Sequence, residues 1–241
     1  MYRKLIILAA ILTLSVVTLF GSSIATKNAY TESTKSDVVV ERLPDSSVSQ
    51  GVVERVKLSW PWYLTRISGL VAAVTFVILM LSGIGLITGH TFSLLEPITA
   101  WASHRALGIA FAVSVLLHIG ALYFDHFVSF SLVSLLVPFV SDFKPVELFG
   151  RSFGSLYVAL GVLSLYLVIA VMITSLLWVE KKPKLWKATH LMSYLAMIFI
   201  FVHALYLGTD LRSGFFRWIW IVSAFVVLLA SLSRLWRAKT V

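Results

Sequence analysis

The sequence predicts an all-α integral membrane protein of about six membrane-spanning helices. Three observations carry that prediction. The 241 residues are 59% hydrophobic and only 13% charged, with a mean hydropathy of +0.93; soluble domains carry about a quarter charged residues. The apolar residues gather into runs of about 20, the length that crosses a bilayer at 1.5 Å per residue. The basic residues sit largely between those runs, where they orient a membrane protein.

The chain contains no cysteine, which excludes disulfides, cysteine-ligated iron–sulfur clusters and thiolate metal sites. Any metal would take most of its ligands from the six histidines. The net charge of +9 does not read as nucleic-acid binding, because no basic patch is interleaved with stacking aromatics. The expected surroundings are membrane lipid.

Residues 1–25 begin with Met1-Tyr2-Arg3-Lys4, continue as an uncharged apolar run to Phe20 and leave through small residues around Ser23 and Ala25. The pattern fits either a signal peptide or a retained signal anchor. Residues 26–60 are rich in Thr, Ser, Asp, Glu and Lys with weak periodicity, which reads as a polar extramembrane linker with one short strand around Val38 to Val40. Residues 61–241 form the membrane domain, with apolar segments at about 62–87, 104–124, 153–178, 187–207 and 216–235. The stretch 127–140 is apolar but short, and reads as an interfacial or re-entrant helix. Tryptophans and tyrosines near segment ends, among them Trp62, Trp186 and Trp220, read as the aromatic belt. Gly83, Gly85, Gly108 and Gly161 read as close-packing points between helices.

The short loop from Glu180 to Lys187 carries Lys181, Lys182, Lys184 and Lys187, and is expected on the cytoplasmic side. Counting spans places the tail with Arg234 and Arg237 on that side too. Residues 26–60, 125–152 and 208–215 then lie outside, in a bacterial-type inner or plasma membrane. The linker is itself partly basic, so the charge rule is not met cleanly everywhere.

The sharpest feature is the histidines. His104 and His118 share one span, and His190 and His203 another, with thirteen and twelve residues between them. An ionisable side chain inside a bilayer is costly and needs a partner. One such histidine is readily a packing residue; two pairs at nearly matched spacing are not. Fourteen helical steps cover about 21 Å and thirteen about 19.5 Å. One intervening span makes the two histidine helices parallel, so His104 faces His190 at an inner level and His118 faces His203 at an outer level. Two imidazoles at one depth can ligate a haem iron axially, and two such levels make a ladder for two b-type haems. An ideal helix, however, turns about 140° out of phase over thirteen steps. His190 and His203 therefore need a kink, a π-bulge or different angles of approach.

The stretch TSLLWVEKKPKLWKATHLMSYLAMIFIFVHAL resembles the second histidine helix of the ferric reductase-like transmembrane family, which includes ferric reductases, NADPH oxidases and the haem subunit of a periplasmic methionine sulfoxide reductase system. WYLTRISGLVAAV and HRALGIAFAVSVLLH, with Thr174-Ser175, extend the likeness over about residues 60–236. The resemblance implies a six-span core with the histidines on the third and fifth spans, which makes residues 5–25 a retained first span. It also implies two haem b groups carrying electrons from an inner donor to an outer acceptor. Family oxidases and metal reductases continue into a flavin and nicotinamide domain. This chain shows no Gly-rich phosphate loop, so the donor is expected to be a separate flavoprotein, or quinone. The acceptor is expected to be an outer-face protein or a ferric chelate, with the chain as an oxidoreductase component.

Haem propionates favour cations at the membrane edge. Arg105 and Lys187 adjoin the inner pair; Arg66, Arg151 and Arg212 lie on the outer side, Arg66 foremost because it falls within the family-like RISG piece. His90 and His126 read as loop residues, with His126 beside Asp125 a candidate for binding a metal substrate. Two other functions compete. A quinone-linked cytochrome b subunit uses a similar four-histidine ladder, although the flanking pieces look less like that family. A non-haem metal transporter or scaffold would want carboxylates within the spans, whereas Glu96, Asp125 and Asp210 stand at their edges.

Overall fold

The structure is a computed structural model and describes residues 45–125, 128–148, 151–152 and 155–237. The expected first span at residues 5–25, the strand around Val38 to Val40 and His126 lie outside these residues. The chain is an all-α, multi-pass integral membrane protein. Five helical stretches are long and apolar enough to cross a membrane: Ser59–Thr88, Pro97–Tyr123, Leu156–Leu177, Pro183–Leu207 and Gly214–Arg234.

Helix α1 spans Asp45–Thr88, so the last part of the segment read as linker continues the first described membrane helix without a break. Gly89 then turns the chain with a φ of 81°, a conformation that costs a residue without Cβ little. A short 3-10 turn at His90–Ser93 leads to α2, Pro97–Tyr123. Pro97 sits at its start, where the missing N–H is no loss. The segment expected as an interfacial helix holds only α3, Leu132–Leu136, tied to the bundle by the Tyr166 hydroxyl donating to the Leu136 carbonyl. Two-residue strands β1, Glu147–Leu148, and β2, Arg151–Ser152, pair antiparallel. Helix α4, Leu156–Leu177, is capped by Ser155, whose hydroxyl oxygen accepts from the Val158 N–H.

The next crossing is interrupted. Helix α5, Pro183–Leu191, and helix α6, Ser193–Leu207, meet at Met192. The Met192 N–H closes on the Thr189 carbonyl at 3.0 Å, a tighter turn than the α-helix makes. This break lies between His190 and His203, on the stretch where an unbroken helix would leave the two out of phase. A short turn at Thr209–Leu211 precedes α7, Gly214–Arg237.

The crossings pack as two antiparallel hairpins, α1 with α2 and α4 with α5–α6, while α7 lies against α1 and α6. The core is apolar and sits at mid-depth, built from Ala72, Phe76, Met80, Ile84, Phe111, Met197, Phe201, Trp220 and Val227, with Leu211 closing it from the turn before α7. Trp220 is therefore no belt residue. It is 5% exposed, its ring lies 4.5 Å from Phe201, and its indole N–H donates to the Phe201 carbonyl at 3.1 Å. Outward-facing residues such as Leu116 and Phe225 are 66% and 60% exposed, apolar surface on a scale that only lipid or another apolar partner covers.

At the end of the bundle away from the basic loop, Arg66 on α1 grips Asp210 in the turn before α7. Its Nε donates to one carboxylate oxygen at 3.0 Å and its Nη2 to the other. The guanidinium also stacks 4.3 Å from the Trp62 ring. At the opposite end, Arg234 of α7 donates to the Tyr194 hydroxyl. The Arg66 and Asp210 side chains are 23% and 20% exposed, between a surface pair and a buried one. Arg66→Ala should therefore destabilise the detergent-solubilised protein by about 1–3 kcal/mol, read as a lowered thermal unfolding midpoint. Asp210→Asn, which keeps an acceptor, should cost less; equal losses would refute the charged pairing.

Candidate functional site

The four intramembrane histidines lie on the second crossing of each hairpin, and each is backed by the first crossing. His118 Nδ1 lies 2.9 Å from the Thr65 carbonyl oxygen, and His203 Nδ1 lies 2.8 Å from that of Tyr157. A carbonyl can only accept, so in each neutral imidazole Nδ1 carries the proton and Nε2 is the bare nitrogen. His104 Nδ1 lies 2.9 Å from Ser82 Oγ. That hydroxyl donates its hydrogen to the Leu79 carbonyl at 2.8 Å, which again assigns the proton to Nδ1. His190 Nδ1 lies 3.2 Å from Ser175 Oγ, which also accepts from the Trp186 indole N–H at 3.2 Å.

Glycines make these approaches possible. A methyl built on Gly69 would stand 3.1 Å from His118 Nδ1, one on Gly83 3.0 Å from His104 Cε1, and one on Gly161 2.5 Å from His203 Nδ1. Gly83 and Gly161 are thus close-packing points as expected, but against imidazole rings. Gly108 faces open space, so its reading as a packing point is corrected. The far level repeats one pattern in both hairpins: a carbonyl at Thr65 or Tyr157, and a glycine four residues on, at Gly69 or Gly161.

At the basic-loop level two rings stand together, as the spacing predicts: His104 and His190 have centroids 6.4 Å apart with planes at 55°. Phe111 stands seven residues from both His104 and His118, and Phe76 seven from both Gly69 and Gly83. They meet at 5.3 Å, and Phe76 meets Phe201 at 5.9 Å. Phe76 and Phe111 therefore stand about two helical turns from each histidine level, while Phe201 lies two residues from His203.

Among the remaining candidates, Arg105 and Lys187 are exposed, next in sequence to His104 and near His190. Arg66 is engaged by Asp210, a partner the sequence reading did not assign. Thr65 contributes a feature it also missed. Its hydroxyl is buried without a hydrogen-bond partner among the described residues, on the residue whose carbonyl backs His118. No three His, Asp or Glu side chains converge on a common point among the described residues. His104 and His190 are the pair whose rings stand close enough for two nitrogens to address one metal.

Comparison of the chain with known protein families, characterised proteins and solved structures finds no match.

The glycine cradles rank clearly. Gly161→Ala forces the His203 ring to move and should destabilise the protein by about 1–3 kcal/mol, the usual cost of overpacking. Gly69→Ala needs a shift of only tenths of an ångström and should cost under about 1 kcal/mol. Thermal unfolding of the two variants in the same detergent checks the order, and the reverse ranking would contradict the cradle geometry.

Proposed function

We propose that the chain is a transmembrane electron carrier holding two b-type haems, one between His104 and His190 and one between His118 and His203. The observation that supports this most is the proton assignment. Each histidine has its Nδ1 tied to a neighbouring helix, and in three of the four that tie leaves Nε2 as the bare donor nitrogen. Metal-ligating histidines are held in this way: the bond at the second nitrogen fixes tautomer and ring angle. Glycines on α1 and α4 let the His118, His104 and His203 rings press close to the helices behind them.

Haem bound at these positions would supply one-electron chemistry, with the protein setting ligation, potential and access. The histidines hold the two levels apart along the membrane normal. Phe76, Phe111, Phe201 and Trp220 add apolar rings to the core between the helices that carry them. Arg105 and Lys187 serve as counter-charges for anionic groups at the basic-loop level. Arg66 is held by Asp210 but retains guanidinium N–H donors beyond the two it uses. A ferric reductase-like carrier of this kind has its two haems, its donor side and its acceptor side arranged across the membrane. The C-terminus is cytoplasmic in a bacterial-type inner or plasma membrane. A separate flavoprotein or quinone donates electrons, and an outer-face protein or ferric chelate accepts them. A metal transporter would want carboxylates within the spans, and Glu96, Asp125 and Asp210 stand at their edges.

Protein purified from haem-replete cells should show low-spin b-type absorption and about two haems per chain. His104→Ala and His118→Ala should each lose about one. A colourless wild-type preparation would sink the proposal, and loss of both haems from either variant would sink the two-level assignment.

A further inference from the structure

The two histidine levels are backed by different chemistry. At the far level both acceptors are peptide carbonyls, of Thr65 and Tyr157, which no substitution removes. At the basic-loop level both are serine hydroxyls, of Ser82 and Ser175, and are therefore set by side chains. Ser82 has the complete proton accounting. A hydroxyl owns one hydrogen and two lone pairs. The hydrogen is given to the Leu79 carbonyl at 2.8 Å, and the oxygen faces His104 Nδ1 at 2.9 Å. Gly83, the next residue, lets the His104 ring approach the helix closely enough for that bond, since a methyl there would stand 3.0 Å from Cε1. Thr75, one of the other hydroxyl residues of the same helix, spends its hydrogen on the Val71 carbonyl at 2.6 Å and backs no histidine among the described residues.

We infer that Ser82 is a positioning residue that holds His104 in the Nδ1–H tautomer and sets the electron-donating strength of its Nε2, so that the potential of the basic-loop haem is tuned separately from that of the far haem. This rests on the two-haem reading above. A hydrogen bond accepted from Nδ1–H makes the imidazole a stronger donor at Nε2. A stronger donor favours ferric over ferrous iron, so removing the bond raises the midpoint potential of that haem. The far haem, backed by main-chain carbonyls, is untouched by the change.

The test is a redox titration of the purified full chain, with optical and low-temperature EPR readout. His104→Ala, which retains only the far haem, identifies which midpoint belongs to which level. In Ser82→Ala the basic-loop midpoint should rise, with an altered low-spin EPR signal. A tenfold change in the ferric-to-ferrous ratio corresponds to about 59 mV for one electron. The far midpoint should stay in place. Ser82→Thr, which restores the hydroxyl, should return the wild-type value, and Thr75→Val should move neither midpoint. If Ser82→Ala instead loses the basic-loop haem, recovery of that haem in Ser82→Thr supports the inference and failure to recover it overturns it. Unchanged midpoints in Ser82→Ala, or equal shifts at both levels, also overturn it. A wild-type protein without haem defeats the two-haem reading itself, a different result from an unresponsive Ser82 in a two-haem protein.

Discussion

An imidazole brought inside a bilayer has two ring nitrogens and no water to satisfy them. Each of the four intramembrane histidines meets that constraint by hydrogen-bonding through Nδ1 to the first crossing of its hairpin. The bonds require close approach, so α1 must lie against α2 and α4 against α5–α6, and small residues must line the contact. Gly69, Gly83 and Gly161 stand where the rings press hardest. The hairpin architecture and the aim of the free nitrogens therefore follow from one requirement. The hairpins answer it in nearly the same register: from the backing carbonyl to the backing serine is 17 residues in the first, Thr65 to Ser82, and 18 in the second, Tyr157 to Ser175.

The five described crossings were legible in the sequence because lipid imposes a long and unambiguous apolar signal; expected and observed boundaries differ by a few residues at most ends. The exceptions are instructive. Residues 45–60 look polar and aperiodic, yet α1 begins at Asp45, because a helix that continues past the bilayer needs no apolar face there. The facing of His104 and His190 was legible from spacing. The break at Met192 was not, since Met192 carries none of the usual breaker chemistry and its tight turn shows only in the backbone hydrogen bonds.

Roles that depend on partners distant in sequence were hidden for a different reason. Ser82 and Ser175 look like ordinary small residues of apolar helices until the neighbouring imidazole is in place. Asp210 looked like a stray edge carboxylate, but it anchors Arg66 across 144 residues of chain. Trp220 shares its composition signature with belt tryptophans at span ends, and only the packing of α7 against α6 shows that its ring is core. A local pattern reports which residues can be buried in lipid; it does not report which of them face one another.

The apolar core at mid-depth has an electrical consequence. Phe76, Phe111, Phe201 and Trp220 offer no titratable group, and the buried hydroxyls of Thr75, Ser114 and Ser164 each donate to a carbonyl of their own helix. On the proposed function, each electron passing from the basic-loop level to the far level would cross most of the low-dielectric slab uncompensated. One elementary charge traversing the whole membrane exchanges about 2.3 kcal/mol with the field per 100 mV. With a negative interior and the proposed orientation, outward electron flow runs down that gradient and partly discharges it. The membrane voltage would then act as a second driving force on the carrier, added to the redox difference between donor and acceptor.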